Sequence, residues 1–379
     1  MPDPVWFWQR IVSPHMAGLA AAMAADGREV TYVAEEELSA DRASMGWHSP
    51  DLGHARLLLA RTAEAARSLA RGAPANSVHI CQGFRGNGLV GVAQLTLAER
   101  GLRQWVVMET VDDAGWQGPL KRLEYRRLVE QWQPRIDGVL AIGHATSDWL
   151  IARNMPRDEV FPFAYFLSDQ NPAPTRHDPS APFRFLFVGR LVQLKRVDLL
   201  LRALGELVDV SFEVVIVGAG PVGDALLELA SEKLPGRVHW HGQQPISVIP
   251  TLMADADCLV LPSRYDGWGA VVSEALLAGT PAICSAAVGA AGVVRASASG
   301  GVFPTGDQEA LAVLLRQILS AGRQTPEGRA GLADWGRRLG AKAGASYLDA
   351  ILSYSAGGGT RPVPPWLEVD SLGAQAMPR

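Results

Sequence analysis

Short apolar runs alternate with longer stretches of helical spacing along the chain. Residues 5–11 read as a strand, 14–26 as an alanine-rich helix closed by Gly27, and 29–34 as a second strand. Residues 56–71 have helical spacing, while 78–81, 105–108 and 139–142 are short apolar runs that fit buried strands. Strands and helices in alternation predict a doubly wound parallel α/β sheet. Each strand ends in a polar or glycine-bearing loop, which is where such sheets hold ligands.

The pattern breaks between 161 and 182, where Pro162, Pro172, Pro174 and Pro182 accompany Ser168, Asp169, Gln170 and Asn171. That composition predicts a linker. Beyond it the alternation restarts with strands at 183–188, 212–217, 238–240 and 257–261, and helices up to about Leu207, at 224–233 and at 270–278. The expected layout is a first domain over 1–165, a linker over 166–182 and a second domain over 183–338. A closing helix at 339–355 and a flexible tail at 356–379, marked by three glycines and three prolines, complete it.

Composition narrows the function classes. At 379 residues the chain exceeds what one core serves, and 48% apolar with 20% charged residues describes an ordinary globular protein. A net charge of −4 argues against a general nucleic-acid binder. No apolar run reaches the roughly 18 residues of a spanning helix, and the N-terminus lacks a signal-peptide pattern, so the expected location is cytoplasmic. Cys81, Cys258 and Cys284 are widely spaced and lie in or beside apolar runs, which predicts buried free thiols.

The chemistry concentrates in the second half. After the strand at 257–261 come Pro262, a loop with Gly267, Trp268 and Gly269, and a helix that Gly279 caps. A strand, glycine loop and helix N-terminus offer N–H groups and a positive dipole end to a diphosphate. Asp266 and Glu274 flank the glycines and are suited to hydroxyl groups. Upstream, a strand ends at Gly189 with Arg190 beyond it and Lys195 at the next helix start, two cations fit for phosphate oxygens. Val217-Gly218-Ala219-Gly220-Pro221-Val222-Gly223 matches the dinucleotide fingerprint, but no carboxylate lies at 237–241, where the ribose partner belongs.

These stretches resemble family 4 of the retaining GT-B glycosyltransferases, closely in the second domain and only in layout in the first. The resemblance implies two Rossmann-like domains around a cleft, with the closing helix crossing back to the first. It implies transfer of a sugar from a UDP- or GDP-sugar to an acceptor hydroxyl with retained configuration, without metal or cofactor. Arg190 and Lys195 would then neutralise the diphosphate, Asp266 would contact the donor sugar and Glu274 the ribose. Gly189, Gly218, Gly220, Gly267, Trp268 and Gly269 would frame the donor. Asp266 replaces the commoner glutamate, and Arg196 replaces the glycine usual after the lysine. The same fold also hosts nucleotide-sugar epimerases and phosphorylases, and a non-catalytic nucleotide or glycan binder is the alternative from another class.

First-domain candidates are fewer. Glu109 falls where many relatives carry a histidine near the reacting centre, and could serve the reaction or cap a helix. His15, Arg85 and His144 lie in loops after strands and are acceptor-side candidates beside plain capping or solvated roles. Asp112 and Asp113 read as a solvated loop rather than metal ligands. Seven of the eleven tryptophans, Trp6, Trp8, Trp47, Trp105, Trp116, Trp132 and Trp149, lie here, mostly as packing with some available to stack on sugars. Lys121, Arg122, Arg126 and Arg127 place cations on a helix over 120–129 that could rest on an anionic membrane surface, although Glu124 and Glu130 interrupt the charge and favour a solvated face. Acceptor classes left open are a glycan, a lipid-linked sugar or a small molecule.

Overall fold

The computed structural model describes residues 2–38, 49–168 and 181–368. Two parallel sheets carry it. In the first, β1 (Val5–Ile11), β2 (Val30–Glu36), β3 (Arg56–Leu59), β4 (Val78–Gln82), β5 (Arg103–Glu109), β6 (Gly138–Ile142) and β7 (Val160–Phe163) lie in the order β3-β2-β1-β4-β5-β6-β7. In the second, β8 (Phe183–Val188), β9 (Phe212–Val217), β10 (Val238–Gly242), β11 (Cys258–Leu261), β12 (Ala282–Ser285) and β13 (Gly300–Phe303) lie in the order β10-β9-β8-β11-β12-β13. Strand order reverses between β1 and β4 and between β8 and β11, so each domain opens a crevice at the carboxyl ends of those strands. The two crevices face each other.

Three expectations change. Residues 56–71 are not one helix: Arg56–Leu59 pairs with β2 as an edge strand, and the helix begins only at Ala63, where the Thr62 hydroxyl accepts from the Ala65 N–H at 3.1 Å. The leucine run satisfied a helical spacing, yet the threonine cap shows where that helix starts. Residues 160–163, at the start of the expected break, are strand β7 at the sheet edge, where Pro162 is tolerated because one side of the strand is unpaired.

The third change is the tail. Arg361 lies over the Phe161 ring at 4.3 Å and donates to the Val160 carbonyl at 2.5 Å, and Trp366 is buried beside Phe166 and Tyr347. Residues up to Glu368 are thus docked on the first domain by aromatic burial, in place of the flexible tail that glycine and proline content implied. Most of the proline-rich linker, including Asp169, Gln170, Asn171, Pro172 and Pro174, lies outside the described residues, as do Trp47 and 369–379.

The helix Ala341–Ser355 belongs to the same docked region. Tyr347 donates to the Pro162 carbonyl at 3.0 Å, Arg28 pairs with Asp349 at 3.1 Å, and Gly344 lets Phe166 close against the helix backbone. Leu167 is tied on both sides, its N–H to the Leu339 carbonyl at 3.0 Å and its carbonyl to the Ala341 N–H at 2.8 Å. The outgoing and returning crossings between the domains are therefore hydrogen-bonded to each other.

Within the first domain most tryptophans pack. Trp6, Trp8, Trp105 and Trp132 are buried, and Trp8 donates to Nδ1 of His79 at 3.0 Å. Burial lowers the His79 pKa to about 3, so this ring stays neutral. All three cysteines are free and buried.

Candidate active site

The crevice of the second domain is made by backbone contact. Gly189 N–H donates to the Val217 carbonyl at 3.0 Å and Leu191 N–H to the Ala219 carbonyl at 2.9 Å, laying the loop after β8 on the glycine turn after β9. A Cβ on Gly218 would overlap the Gly189 carbonyl, and one on Gly220 the Leu191 carbonyl. The glycine turn therefore permits a close approach of two backbones at the switch point. Above it opens a cavity of about 450 Å³, lined by Gly189, Arg190, Gly218, Val271 and Glu274, and by Pro14 and His15 of the first domain.

Glu274 sits on the helix Ala270–Leu277 with its side chain on the cavity wall. Desolvation pushes its carboxyl up to about 7, so hydroxyl groups donating to it would favour the ionised form. Arg190 is exposed at the same cavity. The loop leading to the helix is braced by Trp268, whose Nε1 donates to the buried Ser273 hydroxyl at 3.1 Å, while Gly269 at φ +85° faces Val288 and Leu261.

A second cavity of about 500 Å³ adjoins the first and shares His15 with it. Its lining includes Asp266 and Gly269 from the second domain and Gln9, Arg10, Gln82, Glu109 and Tyr165 from the first side. Lys195 is ion-paired with Asp266, both partly buried. Lys195 ends a short 3-10 turn, and the next residue, Arg196, adopts the left-handed conformation at φ +52° with its guanidinium on Asp198 at 3.0 Å. A left-handed residue follows the lysine here, which gives the backbone reason for a glycine at that place.

Glu109 lies across the domain seam, its carboxylate against Gly267, where a Cβ would collide with it. Burial raises its pKa; the Tyr165 hydroxyl hydrogen-bonds it and opposes that rise, while the nearby Asp266 adds to it. Tyr165 also stacks on His15, with ring centroids 4.6 Å apart. The seam is tied further by Tyr265, whose hydroxyl donates to the Thr110 carbonyl, and by the His144 N–H, which donates to the Gly289 carbonyl at 2.9 Å.

Other expected residues fall outside the two cavities. Arg85 turns away from the cleft, pairing with Glu124 at 2.5 Å and lying over Tyr125 at 4.9 Å, because the helix Gly118–Trp132 passes beside its loop. His144 is at the seam but lines neither cavity, and burial lowers its pKa. Asp113 is held by Arg153 and by Trp149 Nε1 at 3.1 Å, and the Asp112 carbonyl accepts from Lys121 at 2.6 Å, so this pair stabilises a loop. Lys121, Arg122 and Arg126 on the 120–129 stretch find local partners in Asp112, Asp113 and Glu130. Among the described residues no helix is long and apolar enough to cross a membrane.

Sequence reasoning missed Gln9 and Tyr165, and in the polar, cleft-facing loop that Gln82 opens it names Arg85 instead. Gln9 and Gln82 share a signal: each is a polar residue near the carboxyl end of a largely apolar strand, as Glu109 is on β5. Tyr165 had none, since it lies in the crossing between domains.

The two facing Rossmann-like domains with a cleft between their switch points define a GT-B fold. Residues 173–330 match the glycosyl transferases group 1 family, so the second domain carries the family's signature. Over 155 residues the chain is 33% identical to a D-inositol 3-phosphate glycosyltransferase of Mycolicibacterium gilvum, covering 39% of this chain and 34% of that protein. It thus spans about a third of the length of the curated relatives it matches. Among solved structures, Anabaena HepE in complex with UDP superposes with a TM-score of 0.72 at 16% identity, over 93% of this chain and all of the other. The lipopolysaccharide outer core galactosyltransferase WaaB, in its apo form, gives 0.67 at 16% identity, over 93% of this chain and 99% of that one.

Proposed function

We propose that this chain is a retaining GT-B glycosyltransferase of family 4 that moves a sugar from a UDP- or GDP-sugar to an acceptor hydroxyl. The observation that carries this reading is the pair of adjoining cavities sharing His15, one lined by Glu274 and Arg190, the other by Asp266 and Glu109. In the first, Glu274 accepts hydrogen bonds from the nucleotide ribose. Arg190 and Lys195 neutralise charge on the departing diphosphate, the main electrostatic demand of the transition state. Asp266, oriented by Lys195, contacts the donor sugar. The acceptor oxygen bonds to the anomeric carbon as the bond from that carbon to the diphosphate oxygen breaks, and the hydroxyl proton leaves with the diphosphate. Glu109, across the seam from Asp266, holds the acceptor or steadies positive charge growing at the anomeric carbon. Two cations already serve the diphosphate, so the reading calls for no divalent metal.

The relatives support the donor class, since the HepE structures hold UDP and UDP-glucose. The test is incubation with UDP- and GDP-sugars and a set of acceptors, following nucleoside diphosphate release and the product's anomeric configuration by NMR. Acceptor-dependent release with retained configuration is expected. An inverted product, or nucleotide binding without turnover on any donor, contradicts the reading.

A further inference from the structure

The second cavity carries information about the acceptor. Gln9 is only 4% exposed, lines the cavity, and its Nε2 has no hydrogen-bond partner among the described residues. A buried amide donor left unpaired is costly, and a ligand hydroxyl or ether oxygen would satisfy it. The charges around it are unequal: Glu36, Glu109 and Asp266 line the cavity with Arg10, and Lys195 pairs with Asp266. Glu109 has its pKa raised in part by the Asp266 charge, a sign that the two carboxylates feel each other.

The nearby helix N-terminus offers little to an anion. Pro14, the first residue of the helix Pro14–Ala25, has no N–H, and the Met16 and Ala17 N–H groups both donate to the Ser13 carbonyl, at 3.0 and 2.8 Å. The Ser13 N–H is taken by the Tyr32 hydroxyl at 3.1 Å. Phosphate sites need convergent N–H groups and cations, and here the carboxylates Glu36, Glu109 and Asp266 outnumber the cations Arg10 and Lys195.

We propose that this cavity takes the acceptor as a neutral polyhydroxylated ring, a sugar or cyclitol with no phosphate beside the reacting hydroxyl. The proposal rests on the transferase reading above. Carboxylates accept from ring hydroxyls, the Gln9 amide donates to one, and a phosphate group meets repulsion from Glu36 and Glu109, while Lys195 offsets the charge of Asp266.

The test is saturation-transfer NMR on the full chain, with and without UDP. The probes are glucose, galactose, mannose and myo-inositol, each beside its own monophosphate. At least one neutral compound is expected to bind about tenfold tighter than its phosphate, and Gln9→Leu to weaken that binding about tenfold while UDP affinity holds. Glu36→Gln, at an exposed position where folding is not at stake, is expected to narrow the preference over the phosphate about threefold. Tighter binding of a phosphate than of its parent, no binding of any neutral compound, or an unchanged preference in Glu36→Gln overturns the proposal. UDP titration of the same samples separates the two readings: sugar binding without UDP binding contradicts the transferase reading, and UDP binding without neutral-sugar binding contradicts the acceptor proposal.

Discussion

The two cavities that meet at His15 are built of different material. The first is backbone: Gly218 and Gly220 against the carbonyls of Gly189 and Leu191, with one carboxylate, Glu274, projecting from a helix. The second is side chains from separate elements, Gln9 from β1, Gln82 from β4, Glu109 from β5 and Tyr165 from the crossing. Backbone construction tolerates almost no substitution at its contact points. Side-chain construction can be retuned one residue at a time without disturbing the sheet.

The harshest way to break this contrast is Gly218→Ala. The new methyl would collide with the Gly189 carbonyl at a backbone of φ +140°, and we expect a loss of about 3–5 kcal/mol of stability in chemical denaturation. Gln82→Ala, in the second cavity, should lose less than about 1.5 kcal/mol. Equal losses at the two positions would dissolve the distinction.

Next in size is Lys195→Ala, which leaves Asp266 without its cation. Turnover should fall by about 2–4 kcal/mol in barrier height, and the double mutant with Arg190→Ala should fall by less than the sum, because both serve one diphosphate. Steady-state kinetics on the singles and the double decide it; strict additivity would mean that the cations act at separate places.

The contrast in legibility follows the contrast in material. The second-domain residues Arg190, Lys195, Asp266 and Glu274 lie in two contiguous stretches whose glycines and prolines announce a loop, so strand, loop and helix could be read directly. The first-domain side could not be read that way. Gln9 and Gln82 are 73 positions apart and meet only because β1 and β4 pair in parallel. Arg85, a candidate by loop position beside a solvated reading, turns to Glu124 on a helix that its own sequence does not mention. Edge strands were the weak point of the fold: β3 carries a leucine run that also fits a helix, and β7 contains a proline. The docked tail was invisible because Trp366 earns its burial from Phe166 and Tyr347, which are far away in sequence.

A smaller effect sharpens the role of Glu274. With its free pKa at about 7, the carboxyl is largely protonated at pH 6 and largely ionised at pH 8. Ribose hydroxyls donate to the ionised form, so UDP affinity should weaken as pH falls below 7, by up to about 1.4 kcal/mol per pH unit. The diphosphate titrates in this range too, so Glu274→Gln is the reference: its affinity should change less steeply with pH than that of the wild type. Parallel profiles would remove Glu274 from the ribose. The smallest effect is expected from Arg196→Gly, where relief of the left-handed backbone offsets loss of the Asp198 contact and net stability shifts by less than about 1 kcal/mol.

Calorimetric titration of UDP and GDP into the wild type and Glu274→Ala tests the central claim most directly. The account predicts that one of the two nucleotides binds the wild type and that Glu274→Ala weakens it by about 1.5–3 kcal/mol for each charge-assisted hydrogen bond lost. Unchanged affinity in Glu274→Ala, with the fold intact, would contradict the placement of the nucleotide in this cavity.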